Sequence, residues 1–234
     1  LQRGNRMLDI GCGWGGLVIH AAKNYGVEAH GITLSGPQAD LANERIRQMG
    51  LSAYCRVEVR DYREMDAPES YDKLVSVGMF EHVGEPRLRE YFQAAFRLLR
   101  PGGTFLNHGI ASNSGISAIP GPSFSDYYIF PDGELLPLGT TLLAAEASGF
   151  EVRDVECLRE HYVLTLRKWL ERLESRREEA CGATEERTYR LWRLYLAGAT
   201  HKFRTGRNSV YQTLLSKPFH GNSGLPLTRG DWYA

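Results

Sequence analysis

Residues 8–17 read "LDIGCGWGGL", and the fold turns on that stretch. The short apolar run "RMLDI" before it has the length of a buried strand. Gly11, Gly13, Gly15 and Gly16 then crowd six positions, and "LVIHAAKNY" repeats apolar residues at helical spacing until Gly26 closes it. Strand, glycine turn and helix in that order form the first unit of an open α/β sheet, and such sheets bind ligands at this turn.

The rest of the first half continues the alternation. "VEAHGITLS" (27–35) reads as a second strand, and "SGPQADLANERIRQMG" (35–50) as a helix capped by Ser35 and ended by Gly50. "AYCRVEVRD" and "YDKLVSVGMF" are two more strands. "RLREYFQAAFRLLRPGG" is a helix with a Pro-Gly-Gly stop, and "TFLNHGI" is a fifth strand. This pitch predicts a parallel sheet with right-handed crossovers. Regularity breaks after Ile110. The segment 111–137 is rich in Ser, Gly, Pro and aromatic residues, too long for an ordinary connection, and reads as a functional loop or lid. "TTLLAAEASGFEVRDVECL" resumes helix and strand. Two helices follow, one with Leu166, Trp169, Leu170 and Leu173 on a face, the other with Tyr189, Trp192, Leu196 and Phe203. Both tryptophans read as core or as the wall of an apolar tunnel. "NSVYQTLLSKP" is a closing strand and "FHGNSGLPLTRGDWYA" a loosely ordered tail.

Composition narrows the class. With 28 Lys+Arg against 28 Asp+Glu among 234 residues, the chain carries no nucleic-acid footprint. No apolar run approaches the ~20 residues of a membrane span, and no stretch reads as a signal peptide. Cys12, Cys55, Cys157 and Cys181 have no C-x-x-C spacing, so neither a metal site nor a disulfide framework is expected, and a cytoplasmic setting is the default. A first strand so close to Leu1 reads as the start of a trimmed domain.

The glycine loop admits two spellings. Gly11, Gly13 and Gly16 satisfy G-x-G-x-x-G, the dinucleotide pattern, while Asp9, Gly11, Gly13 and Gly15 satisfy D-x-G-x-G-x-G. A dinucleotide site needs an acid at the end of the second strand, and "GITLS" has none. Asp9 suits a ligand with a cationic amino-acid moiety; a pyrophosphate would be repelled. S-adenosyl-L-methionine is therefore the expected cofactor. Asp61 and Tyr62 in "RDYR" stand where an adenine amino group and ring face could be held.

A second stretch, "SVGMFEHVG" (76–84), poses a different problem: an apolar run ends abruptly in Glu81 and His82. A buried carboxylate is costly unless it has a task. Capping the helix near Arg87 is the structural alternative for Glu81.

Together these motifs resemble one family, the cyclopropane-fatty-acyl-phospholipid synthases and mycolic acid cyclopropane synthases. "LDIGCGWGGL", "GITLSGPQ", "DYR", "SVGMFEHVG", "LLRPGG", "IFPDGELLP" and "HYVLTLRKW" match in order and spacing, from about Met7 to Gln212. The resemblance implies a doubly wound, seven-stranded class I methyltransferase sheet (Rossmann-like α/β) over residues 1–215. Within it, 111–139 and 162–205 form a lid and helical substrate-binding parts, and 216–234 are a tail. It implies methyl transfer from S-adenosyl-L-methionine to the cis double bond of an unsaturated acyl chain of a lipid, met by peripheral contact with a membrane surface. The resulting carbocation loses a proton, with a bound bicarbonate as base. Carried across residue by residue, the anion site is Glu81, His108, the main chain of Ile110, and Tyr162. The cofactor site is Asp9, Gly11, Cys12, Gly13, Trp14, Gly15, Gly16, Thr33, Leu34, Ser35, Gln38, Asp61, Tyr62 and Val77.

Three features depart from the family pattern. Its cysteine ahead of the first strand has no counterpart between Leu1 and Met7. Asn107 and Gly109 flank His108 where relatives carry an apolar residue and Thr, and Ala199 stands where relatives often carry Cys. Two other readings stay open: N- or C-methylation of a small molecule, whose ammonium proton would also need a base, and a non-catalytic cofactor-binding domain.

Overall fold

A computed structural model describes residues 1–113, 115, 121 and 123–232. The glycine turn does what its composition requires. β1 (Arg6–Ile10) delivers the chain to Gly11, Gly13 and Gly15, all at positive φ, and α1 (Gly16–Tyr25) leaves from Gly15. β2 (Glu28–Thr33), α2 (Gly36–Gln48), β3 (Cys55–Val59), β4 (Tyr71–Val77), α3 (Leu88–Leu98) and β5 (Leu99–Ser112) complete the first half. α4 (Phe124–Tyr128), α5 (Leu138–Ala147), β6 (Glu151–Cys157), α6 (Arg159–Ser175), α7 (Arg177–Ala183), α8 (Glu186–Arg204) and β7 (Asn208–Ser216) follow. Ser35 caps α2 as expected, its hydroxyl accepting from the Gln38 N–H at 3.4 Å.

The seven strands lie in the order β3-β2-β1-β4-β5-β7-β6. Strands β1 to β5 pair in parallel; β7 inserts antiparallel between β5 and β6. Order reverses at β1, so the C-terminal ends of β1 and β4 open a crevice at the switch point. One boundary differs from the expectation. The Pro-Gly-Gly segment does not separate α3 from the fifth strand: β5 already begins at Leu99, which pairs with Tyr71 ahead of a register shift. Pro101 is tolerated because it falls in that irregular stretch, where no ladder N–H is required.

Apolar clusters pack both faces of the sheet. Tyr91, Phe92, Leu98, Phe105 and Phe150 lie on one, and Val18, Ala21, Ala42 and Ile46 on the other. A third cluster joins Leu166 of α6 to Leu196 and Phe203 of α8 over Val210 of β7. Trp169 and Trp192 are not core: they remain 45% and 42% exposed. The stretch after residue 216 is better anchored than its composition suggests. Lys217 is buried and donates to the Phe96 and Leu99 carbonyls at 3.1 and 2.8 Å and to Glu69 at 3.1 Å. Ser216 donates to the Ser223 carbonyl at 2.7 Å, and Arg229 pairs with Asp154. Of the expected lid, positions 114, 116–120 and 122 lie outside the described residues. Among the described residues, no helix is long and apolar enough to cross a membrane.

Candidate active site

A cleft of about 500 Å³ opens over the C-terminal ends of β1 to β4. Of the residues expected to hold the cofactor, Gly11, Gly13, Thr33, Leu34, Gln38, Asp61, Tyr62 and Val77 line it. The others stand behind or beside it. Asp9 is buried beneath the loop, with Oδ1 lacking a hydrogen-bond partner among the described residues, and burial pushes its carboxyl up to about 7. The Cys12 thiol packs against β2, 2.7 Å from where a Cβ on Gly31 would sit, and burial followed by the Asp9 charge pushes it up to about 12. Gly15 and Gly16 begin α1, Ser35 caps α2, and Trp14 is half exposed.

Several cleft residues were given no cofactor role in the sequence: Arg60, Arg63, Gly78, Met79, His82, Val83 and Arg87. Their signal was position alone, immediately after β3 and β4. Met79 explains Gly11, since a Cβ there would fall 2.4 Å from Met79 Cγ. The geometry also qualifies Asp61. Its carboxylate is gripped by the Arg63 guanidinium at 2.5–3.0 Å, which holds its pKa below the usual carboxylate range. Any adenine amino group would share it with Arg63. Thr33 donates to Gln38 Oε1 at 2.7 Å, which orients the Gln38 amide at the cleft wall.

The residues suit S-adenosyl-L-methionine in three respects. The loop permits close approach, Asp9 supplies an unpartnered buried carboxylate oxygen under it, and Gln38 and Asp61 offer polar groups at the strand ends.

Beyond Met79 the chain makes a single 3-10 turn, Phe80–His82, that carries Glu81. Glu81 does not cap α3, which has no side-chain cap. Its side chain turns inward: Oε1 accepts the Ile110 N–H at 2.8 Å, and Oε2 is buried without a partner among the described residues. Burial raises its pKa, opposed by that N–H and by His82. His108 pairs in register with Val77, and its carbonyl accepts the Gly78 N–H at 2.9 Å. Burial lowers the imidazole pKa, which favours the neutral ring. Tyr162 of α6 packs against the same apolar cluster as Ile110, and its hydroxyl pKa is raised by burial and then by the Glu81 charge.

Glu81, Ile110 and Tyr162 are thus brought together. His108 lies two positions from Ile110, on the same face of β5, and makes no hydrogen bond to Glu81 among the described residues. One group was missed. Tyr195 of α8 stands near enough to Tyr162 and Glu81 that, after burial, their charges help push its hydroxyl up to about 12. Its ring meets Phe130 and Trp192 edge-on at 5.6 and 5.7 Å. Only the packing of α6 against α8 makes it a neighbour of this site.

Comparison with known proteins identifies the family and agrees with the fold. The sequence model of the family described as mycolic acid cyclopropane synthetase matches residues 1–213. A "Probable fatty acid methyltransferase" of Pseudomonas putida is 42% identical over 238 residues, covering 100% of this chain and 60% of its own length. The chain spans about half the length of the curated relatives it matches. The solved cyclopropane synthase MmaA2 from Mycobacterium tuberculosis superposes with a TM-score of 0.86 at 31% identity, covering 92% of this chain and 79% of that one. Mycolic acid cyclopropane synthase CmaA1, solved with SAH and CTAB, gives a TM-score of 0.85 at 32% identity with the same coverage. The sheet is that of the class I S-adenosyl-L-methionine-dependent methyltransferases, and the chain belongs to the mycolic acid cyclopropane synthetase family.

Proposed function

We propose that this chain carries the catalytic site of an S-adenosyl-L-methionine-dependent methyltransferase acting on the cis double bond of an unsaturated acyl chain. The observation that carries the reading is Glu81: a buried carboxyl with one oxygen held by the Ile110 N–H and the other unpartnered, two residues beyond the Met79 that closes on the glycine loop. When bound, the cofactor supplies an electrophilic methyl group. An alkene is a weak nucleophile, and methylation leaves a cation in an apolar cavity. Fixed negative or dipolar groups aimed there lower the barrier. Glu81 and the Tyr162 and Tyr195 hydroxyls supply them, and aromatic rings pack around these tyrosines: Phe203 against Tyr162, and Phe130 and Trp192 against Tyr195. Loss of a proton from the added methyl closes a ring.

Bicarbonate suits part of this donor set. The Tyr162 hydroxyl would donate to an anion there, and His108 lies two positions from Ile110 on β5. The Ile110 N–H is already committed to Glu81, so in this chain it orients the acid instead. Bound there, bicarbonate would supply a proton acceptor. Exposed Tyr127, Tyr128 and Phe130 support lid-led contact with a lipid surface. The fatty acid methyltransferase relative and the CTAB-bound neighbour support an acyl substrate.

The test is mass spectrometry of lipids from a host expressing the protein, with titration of cofactor product alongside. Unsaturated acyl chains should gain the mass of one methylene. Replacing Glu81 by Gln should lower turnover by at least ~10²-fold while cofactor binding is kept. An unchanged lipid profile with a methylated amine in its place would select the small-molecule reading. Absence of cofactor binding would remove both.

A further inference from the structure

We propose that Glu134, which lies outside the cleft and the acid–base cluster, is a positioning residue for Glu81. The inference rests on Glu81 being the working carboxyl. A single 3-10 turn has little stability of its own, and this one is bracketed by Gly78 and Gly84 at φ 65° and 74°. Glycines in the left-handed region swing at little cost. Neither the turn Phe80–His82 nor the next one, Glu85–Arg87, has a side-chain cap. Something else must hold Glu81 in place.

Glu134 grips both ends of residues 81–85. Its N–H donates to the Glu81 carbonyl at 2.8 Å, and its Oε2 accepts the Glu85 N–H at 2.9 Å. The same Oε2 lies over Gly84, 3.1 Å from where a Cβ would stand. Two residues further on, the Leu136 carbonyl accepts the Ser112 N–H at 3.1 Å, and Pro137 bridges to Ser112. Ser112 belongs to β5, whose Ile110 N–H holds the Glu81 carboxyl. The contacts close a circuit from Glu81 backbone to Glu134, to the end of β5, and back to the Glu81 side chain. Removing the Glu134 side chain keeps the main-chain bond to Glu81 but releases the Glu85 end, which loosens the turn about its two glycines while leaving the glycine loop of β1 intact. The bond to Glu85 is made by an ionisable carboxylate, yet its essential feature is an acceptor oxygen, which glutamine also provides.

The experiment compares wild type, Glu134→Ala and Glu134→Gln. Hydrogen exchange read by mass spectrometry should show peptides containing residues 81–85 and 110 exchanging about tenfold faster in Glu134→Ala, the scale of losing one charge-assisted hydrogen bond. Glu134→Gln should exchange like wild type. Turnover should fall about tenfold in Glu134→Ala with KM for lipid and affinity for cofactor product within about twofold, and Glu134→Gln should restore it. Wild-type exchange in Glu134→Ala overturns the proposal. So does an equal loss in both variants, or a lowered unfolding midpoint with kcat untouched, which would mark a structural role only. The exchange arm decides even if the wild type methylates no lipid, so failure of the functional reading stays distinguishable.

Discussion

Replacing Asp9 by Asn should make the protein more stable at neutral pH, and the gain should vanish in acid. Asp9 is 2% exposed at the end of β1, its Oδ1 has no partner among the described residues, and burial alone lifts its carboxyl from 3.8 to about 7. Because the folded-state pKa lies above the unfolded value, folding favours the protonated form. The stabilising contribution is whole below 3.8 and is lost as pH rises through about 7. Across that window the penalty grows to about 4 kcal/mol, at 1.36 kcal/mol per pKa unit. Asn has the same shape and no charge, so it escapes the desolvation cost while leaving its own amide imperfectly paired. The net gain should therefore be smaller, on the order of 2 kcal/mol above neutrality. Urea unfolding of both proteins, without ligand, at a series of pH values from below 3.8 to above 7 measures it. The difference in midpoint should widen with pH and then level. A difference independent of pH, or a wild type that gains on the variant as pH rises, would refute the argument that Asp9 is buried unpaired. A cationic ligand over the loop should reduce the difference, since it favours the charged carboxylate.

Gly109→Ala should destabilise the fold and depress turnover. A Cβ there falls 1.7 Å from Phe80 Cε1, and overpacking at about 1–3 kcal/mol outweighs the ~0.4–1 kcal/mol gained from a stiffer unfolded chain. Unfolding midpoints check it, and a more stable variant would mean that Phe80 swings aside freely. Lys217→Met should cost about 2–4 kcal/mol, because the Phe96 and Leu99 carbonyls lose their buried donor. An unchanged denaturant midpoint would show that this segment adds nothing to the sheet.

Much of this was legible in the chain itself. Alternating strands and helices, the glycine turn with Asp9, the missing acid in "GITLS", and the Glu81 that interrupts an apolar run are local patterns. Local sterics and burial cost act on them before any tertiary contact exists. They determined the sheet, its cofactor cleft and the acid near it. What the tertiary structure decided is which of those residues meet. It set Asp9, Cys12, Gly15 and Gly16 behind the cleft and brought Met79, His82 and Arg63 into it. It inserted β7 antiparallel beside β5, added Tyr195 to the Glu81–Tyr162 pair, and hung the Glu81 turn from Glu134, 53 positions away along the chain. The reason is physical. Periodicity reports which face of an element is buried, whereas contacts between elements far apart in sequence depend on packing, which no local pattern encodes.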